Sequence, residues 1–182
     1  MTTEIRKVTV AGAGTMGPGI AAIFASHGFY TTLTDIQAGA LEKANSTVDM
    51  VYSVLVKEGF LTQGAADSGR ECLKIESNLD VALQDIDFLL ETIPEKLEIK
   101  QSFFREIEPK VGTEVILASN TSGIPITKLA EVTEYPERMI GMHWSNPPHI
   151  IPVIEVIRGL KTADAAVLST HAVINSIEMI PV

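Results

Sequence analysis

The sequence predicts an α/β fold, a doubly wound and mostly parallel sheet with helices on both faces. Three observations predict it. Short β-branched apolar runs alternate with longer segments of helical spacing nearly throughout the 182 residues. Such alternation suits parallel strands, which need crossover connections rather than tight hairpins. A glycine cluster separates the first run from the first helix. With 46% apolar and 20% charged residues, the chain has the composition of a globular domain with a sizeable core.

The elements follow in order. Met1 to Arg6 is a short polar lead, and Lys7 to Ala11 (KVTVA) reads as a buried strand ending at glycines. Gly17 to Ser26 is small and apolar, as a helix packed tightly on a sheet must be, and His27-Gly28 supplies a stop. Tyr30 to Thr34 is the second strand, ending at Asp35. Ala38 to Glu58 places Leu41, Ala44, Val48, Val51, Tyr52 and Leu55 at helical spacing; Gly59 stops it, and a second helix starts from Thr62, a helical hairpin inserted into the alternation. Leu73 to Ile75 is a weak strand and Phe88 to Leu90 a stronger one, followed by Glu91. Leu97 to Ile107 is a helix, Val115 to Ala118 a strand and Pro125 to Ala130 a short helix. Met139 to His143 and Val153 to Ile157 are strands separated by a proline-rich turn. Thr162 caps a helix running to about Ile177, and Ile180 to Val182 begins another strand. No repeat or interdomain linker interrupts this order, so residues 1–182 read as one domain.

Composition excludes several function classes. A net charge of -9 repels phosphate backbones and anionic lipid, which are met through basic patches, so neither nucleic acid nor membrane is an expected partner. An anionic cofactor stays possible, since helix N-termini bind phosphate whatever the net charge. Cys72 is the single cysteine, so no intrachain disulfide forms and it reads as a small buried hydrophobe. His27, His143, His149 and His171 lack paired ligand spacing, so no metal is expected. No apolar run reaches the roughly 18 residues that span a bilayer, and no signal peptide opens the chain. The expected location is the cytoplasm; a matrix form with its presequence removed would read the same way.

Gly12-Ala13-Gly14-Thr15-Met16-Gly17 is a G-x-G-x-x-G between a strand and a helix. In that context Gly12 allows the tight turn, Gly14 lets backbone approach a pyrophosphate, and Gly17 permits close helix–strand packing. Thr15 and Met16 sit where the helix N-terminus offers N–H donors. Asp35, 18 residues after Gly17, can accept hydrogen bonds from the adenine ribose hydroxyls and repels a 2′-phosphate. The fold is thus Rossmann-type and the cofactor NAD rather than NADP, with FAD the competing dinucleotide because the fingerprint serves both.

Four blocks carry a resemblance over nearly the whole chain: Ala11 to Ile20 (AGAGTMGPGI), Glu91 to Lys100 (ETIPEKLEIK), Ala118 to Ser122 (ASNTS) and Gly141 to Glu155 (GMHWSNPPHIIPVIE). With them the chain resembles the 3-hydroxyacyl-CoA dehydrogenases. The resemblance implies an NAD-dependent oxidation of a 3-hydroxyl, with His143 as base and Glu155 as its partner at the family's own separation of 12 residues. It implies that Ser122 reaches both the substrate oxygen and the nicotinamide side, that Asn146 hydrogen-bonds nearby, and that Glu95 and Lys100 lie along the cofactor. Read for chemistry alone, Lys100 is equally a solvated helix charge. His143 at a strand end suits a group that must take a hydroxyl proton near neutral pH, and a carboxylate can hold its tautomer.

Trp144 and Ser145 stand where the family usually has two aromatics, and Pro147-Pro148 with Ile151-Pro152 departs from its fatty-acyl members. Those features resemble relatives that oxidise free 3-hydroxy acids, such as the gulonate and carnitine dehydrogenases. The substrate expected first is a 3-hydroxyacyl-CoA, with a free 3-hydroxy acid as alternative and a non-catalytic NAD-binding protein as the reading from another class. The family's helical C-terminal domain, which supplies dimer contacts, is absent from this chain, so a homodimer is expected only where that domain is present.

Overall fold

The computed structural model describes residues 5–182; four residues of the polar lead, 1–4, lie outside the described residues. Eight strands form one sheet: β1 (Lys7–Ala11), β2 (Tyr30–Thr34), β3 (Leu73–Glu76), β4 (Phe88–Glu91), β5 (Ile116–Ser119), β6 (Met139–Trp144), β7 (Val153–Arg158) and β8 (Ile180–Pro181). Their order is β3-β2-β1-β4-β5-β6-β7-β8. Every pairing is parallel except β6 with β7. From β1 the chain winds first toward β2 and β3, then crosses to β4 on the other side. A crevice therefore opens at the carboxyl ends of β1 and β4, where open α/β sheets bind ligands.

The helices are α1 (Gly17–Ser26), α2 (Ala38–Lys57), α3 (Gln63–Cys72), α4 (Leu79–Ala82), α5 (Leu97–Ile107), α6 (Ile126–Leu129) and α7 (Asp164–Ser176). Residues Gly17 to Ala25 of α1 are all buried, because α1 is covered by the sheet on one side and by α2 and α3 on the other. It ends on Gly28 at φ +85°, with the Phe29 N–H reaching the Phe24 carbonyl and the Gly28 N–H reaching that of Ala25. Gly59, at φ +76°, closes α2 in the same way. The helical hairpin of α2 and α3 is the crossover from β2 to β3. Six apolar residues of α2, Leu41 to Leu55, enter the main core, and the Tyr52 hydroxyl donates to the Ala22 carbonyl at 3.1 Å. Lys57, at the far end of α2, is exposed and 3.9 Å from Glu58.

Local expectations change at several points, and β3, β6 and β7 run one residue past their expected ends, to Glu76, Trp144 and Arg158. Thr162 does not cap α7; Ala163 holds that position without a side-chain bond. The Thr162 hydroxyl is instead buried, donating to the Met139 carbonyl at 2.7 Å and accepting from the Gly159 N–H at 2.8 Å. The helix α4 was not legible, being four residues held by Asn78, whose side-chain oxygen accepts from the Val81 N–H. β4 and β5 each run one residue further than their apolar runs, to Glu91 and Ser119, because these two polar side chains satisfy each other inside the sheet.

Candidate active site

A cleft of about 1460 Å³ lies along the carboxyl ends of β1, β2, β4, β5 and β6. Gly12, Gly14, Thr15, Met16, Asp35, Glu95, Lys100, Ser122, His143 and Asn146 all line it. Gly17 and Glu155 stand just behind, the first supporting the glycine turn and the second supporting His143.

The glycine turn is shaped by contacts that exclude a side chain. Gly12 adopts φ +114°, and a Cβ there would lie 2.7 Å from the Thr92 carbonyl. At Gly17 it would lie 1.8 Å from the Gly12 oxygen. A Cβ on Gly14 would meet nothing within 4 Å, so that glycine leaves its backbone open to the cleft. Thr92 locks the turn from β4, its hydroxyl donating to the carbonyl of Gly12 at 2.8 Å. Asp35 is half-buried at the end of β2, accepting from the Ala13 N–H at 2.7 Å through one oxygen and from the Gln37 N–H at 2.8 Å through the other. Ile36, next to Asp35, and Ile99 and Phe103 of α5 also line the cleft, apolar surface suited to an aromatic base. A tight turn, an uncovered backbone and a carboxylate at the second strand end fit a dinucleotide.

At the other end, β6 and β7 run antiparallel and His143 stands directly opposite Glu155. His143 Nδ1 lies 2.8 Å from Glu155 Oε2. Opposite an ionised carboxylate, which can only accept, the neutral imidazole carries its hydrogen on Nδ1 and its lone pair on Nε2. The next residue, Trp144, is buried edge-on against Phe24, its backbone N–H donating to the Asn120 side-chain oxygen at 2.8 Å. Asn120 thereby fixes the end of the strand that carries His143. Asn146 is exposed in the turn that follows, joined to Pro147 by a cis peptide.

Between the two ends lies a network of charges. Lys100 is 1% exposed, and its ammonium lies 2.5 Å from Glu91 Oε1 and 3.1 Å from Glu95 Oε2. It is a buried ion-pair partner at the cleft wall rather than a solvated helix charge. Glu91 is 0% exposed and also accepts from the Ser119 hydroxyl and the Ile93 N–H. Burial pushes the Glu91 carboxyl up, opposed by these donors. Glu95 accepts from the Thr121 hydroxyl and from the Ser122 and Gly123 N–H groups. Burial raises its carboxyl, but the bonds from Thr121 and Lys100 outweigh this and hold it below the usual carboxylate range. The sequence signals no separate role for Asn120, Thr121, Glu91 and Thr92, although the first two sit within ASNTS and the others open ETIPEKLEIK. Among the described residues no cluster of three metal-ligating side chains forms, and no helix is long and apolar enough to cross a membrane.

Residues 7–182 match the family model described as 3-hydroxyacyl-CoA dehydrogenase, NAD binding domain. A 5-formyl-3-hydroxy-2-methylpyridine 4-carboxylate 5-dehydrogenase of Mesorhizobium japonicum is 43% identical over 98% of this chain and 57% of its own length. A 3-hydroxybutyryl-CoA dehydrogenase of Bradyrhizobium diazoefficiens is 39% identical over 91% of this chain and 56% of its own. The crystal structure of the (S)-3-hydroxybutyryl-CoA dehydrogenase of Ralstonia eutropha superposes with a TM-score of 0.93 at 37% identity, covering 98% of this chain and 63% of that one. The chain thus spans 57% and 56% of the length of the Mesorhizobium and Bradyrhizobium relatives.

Proposed function

We propose that this chain, which belongs to the 3-hydroxyacyl-CoA dehydrogenase family, binds NAD across its glycine turn and removes a proton from a substrate hydroxyl through His143. The observation that carries the reading is the His143–Glu155 pair facing the same cleft as the glycine turn. NAD would be held by the backbone of Gly12 to Met16 and by Asp35, and when bound it supplies the hydride acceptor. His143 takes the hydroxyl proton at Nε2. Glu155 stabilises the imidazolium so formed and keeps the ring in one tautomer. Ser122 and Asn146, both exposed at the cleft, donate to the substrate oxygen without competing for its proton. Glu95 and Lys100 act along the cofactor by holding the Ser122 loop.

The preferred substrate is a 3-hydroxyacyl-CoA, oxidised reversibly to the 3-oxo compound, a reading supported by the family match and by the 3-hydroxybutyryl-CoA relatives. A substrate without CoA is the second reading. The Mesorhizobium relative favours it, since that enzyme acts on a pyridine carboxylate and shares more identity with this chain than the Bradyrhizobium enzyme does. Lys57, the one cation near the hairpin turn, is absent from the cleft lining, which adds nothing to the CoA reading. On the preferred reading the working form is a cytoplasmic homodimer that includes the family's helical domain. Acetoacetyl-CoA and acetoacetate, compared with NADH as substrates of the full-length protein, separate the two. A clear preference for acetoacetyl-CoA is expected; a clear preference for the free acid would overturn the CoA reading.

A further inference from the structure

Two carboxylates and one ammonium stand in line beneath the loop that carries Ser122, and the chemistry described above makes no use of the deepest of them. Glu91 lies within β4 at 0% exposure. Its Oε1 accepts from Lys100 Nζ at 2.5 Å and from the Ile93 N–H at 2.7 Å, and its Oε2 accepts from the Ser119 hydroxyl at 2.6 Å. The ammonium of Lys100 is then fully committed, to Glu91, to the Ile93 carbonyl at 3.2 Å and to Glu95. Glu95 Oε1 in turn accepts from the N–H groups of Ser122 at 3.0 Å and Gly123 at 3.2 Å. The loop is gripped at both ends. Ser119, bonded to Glu91, also accepts from the Thr121 N–H at 3.3 Å, while Glu95 holds the residues that follow.

We propose that Glu91 is a positioning residue for hydride transfer: by anchoring the Lys100 ammonium it aims Glu95 at the backbone of Ser122 and Gly123, and so sets where the Ser122 hydroxyl stands in the cleft. The inference rests on the dehydrogenase reading above. Mutual neutralisation of a buried pair does not explain the arrangement. Lys100 is shared between two carboxylates, each of which also accepts from other donors, and the second carboxylate is 41% exposed at the cleft. A buried charge is costly unless paired and hydrogen-bonded, and a well-packed apolar pair would serve stability equally well. What an apolar pair cannot do is direct a third group.

Glu91→Gln in the full-length protein tests this, since it keeps the side-chain length and removes the charge. With Lys100 free to draw Glu95 off the loop, kcat should fall by about 10- to 100-fold, the scale of a misplacement near 1 Å. NADH affinity should stay close to that of the unsubstituted protein, and amide hydrogen exchange should quicken in residues 119–124 while the rest of the sheet is unaltered. The double variant Glu91→Gln/Lys100→Met relieves the unpaired ammonium. It should regain thermal stability without regaining kcat, and it carries the same test if the single variant fails to fold. Unchanged kcat in Glu91→Gln, or recovery of kcat together with stability in the double variant, overturns the proposal. His143→Gln in the same assays separates the two levels. If it keeps turnover, the dehydrogenase reading fails; if it is inactive while Glu91→Gln is fully active, only the positioning role fails.

Discussion

Replacing Asp35 by alanine should damage cofactor selectivity and stability by separate amounts. The carboxylate accepts from the Ala13 N–H at 2.7 Å and the Gln37 N–H at 2.8 Å. Gln37 is exposed and its N–H turns to water, but Ala13 is 7% exposed, so its N–H loses its partner. A buried donor left unsatisfied costs about 1–3 kcal/mol. For a chain of this size that corresponds to a fall of about 2–12 °C in Tm. The ribose hydroxyls lose a charged acceptor as well, and charge-assisted bonds of this kind contribute about 1–3 kcal/mol, so NADH affinity should drop about 5- to 150-fold. Asp35→Asn divides the two effects. Its amide oxygen can still accept from Ala13, so most of the Tm should return. With the charge gone, the 2′-phosphate is no longer repelled, and the preference for NADH over NADPH should shrink. Thermal melts without cofactor and fluorescence titrations with NADH and NADPH read the two quantities independently. An Asp35→Ala variant with unaltered Tm and unaltered preference for NADH would refute the assignment of Asp35 to both tasks.

Asn120→Ala should cost about 1–3 kcal/mol, because the Trp144 N–H beside a buried indole loses its acceptor, and it should lower kcat more than NADH affinity because the Trp144 end of β6 carries His143; thermal melts and steady-state kinetics measure both, and unchanged kcat would free Asn120 from that role. Glu95 has a folded-state carboxyl below its ordinary range, so it contributes stability that is complete above that range and is lost as pH falls through the lowered value. Between neutrality and about pH 4.3 its contribution should therefore persist; Glu95→Gln should lose it, and a Tm difference that vanishes well above that range would contradict the direction of the shift.

Much of this fold is legible in sequence because period and punctuation agree. The run KVTVA, the small residues of α1, and Gly28 and Gly59 at positive φ each specify their element through local chemistry, and the structure places them where that chemistry predicts. The errors share a cause. Thr162 has the residue type and position of a helix cap, yet its hydroxyl is satisfied by the Met139 carbonyl on a strand distant in sequence. Glu91 reads as the polar end of a strand, whereas a lysine nine residues later buries it. For Lys100 the sequence left a place along the cofactor and a solvated helix charge both open, and its burial against Glu91 removes the second. Such partnerships are tertiary, and no periodicity announces them. The site divides along the same line. The glycine turn is a local device and could be read residue by residue, and the His143–Glu155 contact needed only the register of an antiparallel pair across a proline-rich turn. The grip of Glu95 on the Ser122 loop depends on β4 and β5 lying side by side, which the sequence does not state.

The dehydrogenase reading stands most directly on the proton taken by His143. In the full-length protein, His143→Gln keeps a hydrogen-bonding side chain but cannot accept a proton near neutral pH, so kcat should fall by about 10²- to 10⁴-fold. NADH affinity, measured by titration as the control for folding, should stay nearly unchanged. Glu155→Gln should act in the same direction, and the two losses should combine less than additively, as they do for groups that work as a unit. Steady-state kinetics on both single variants and the double variant measures this. A His143→Gln protein that retains near-normal turnover would mean that the proton leaves by another route and that the chemistry assigned to this pair is wrong.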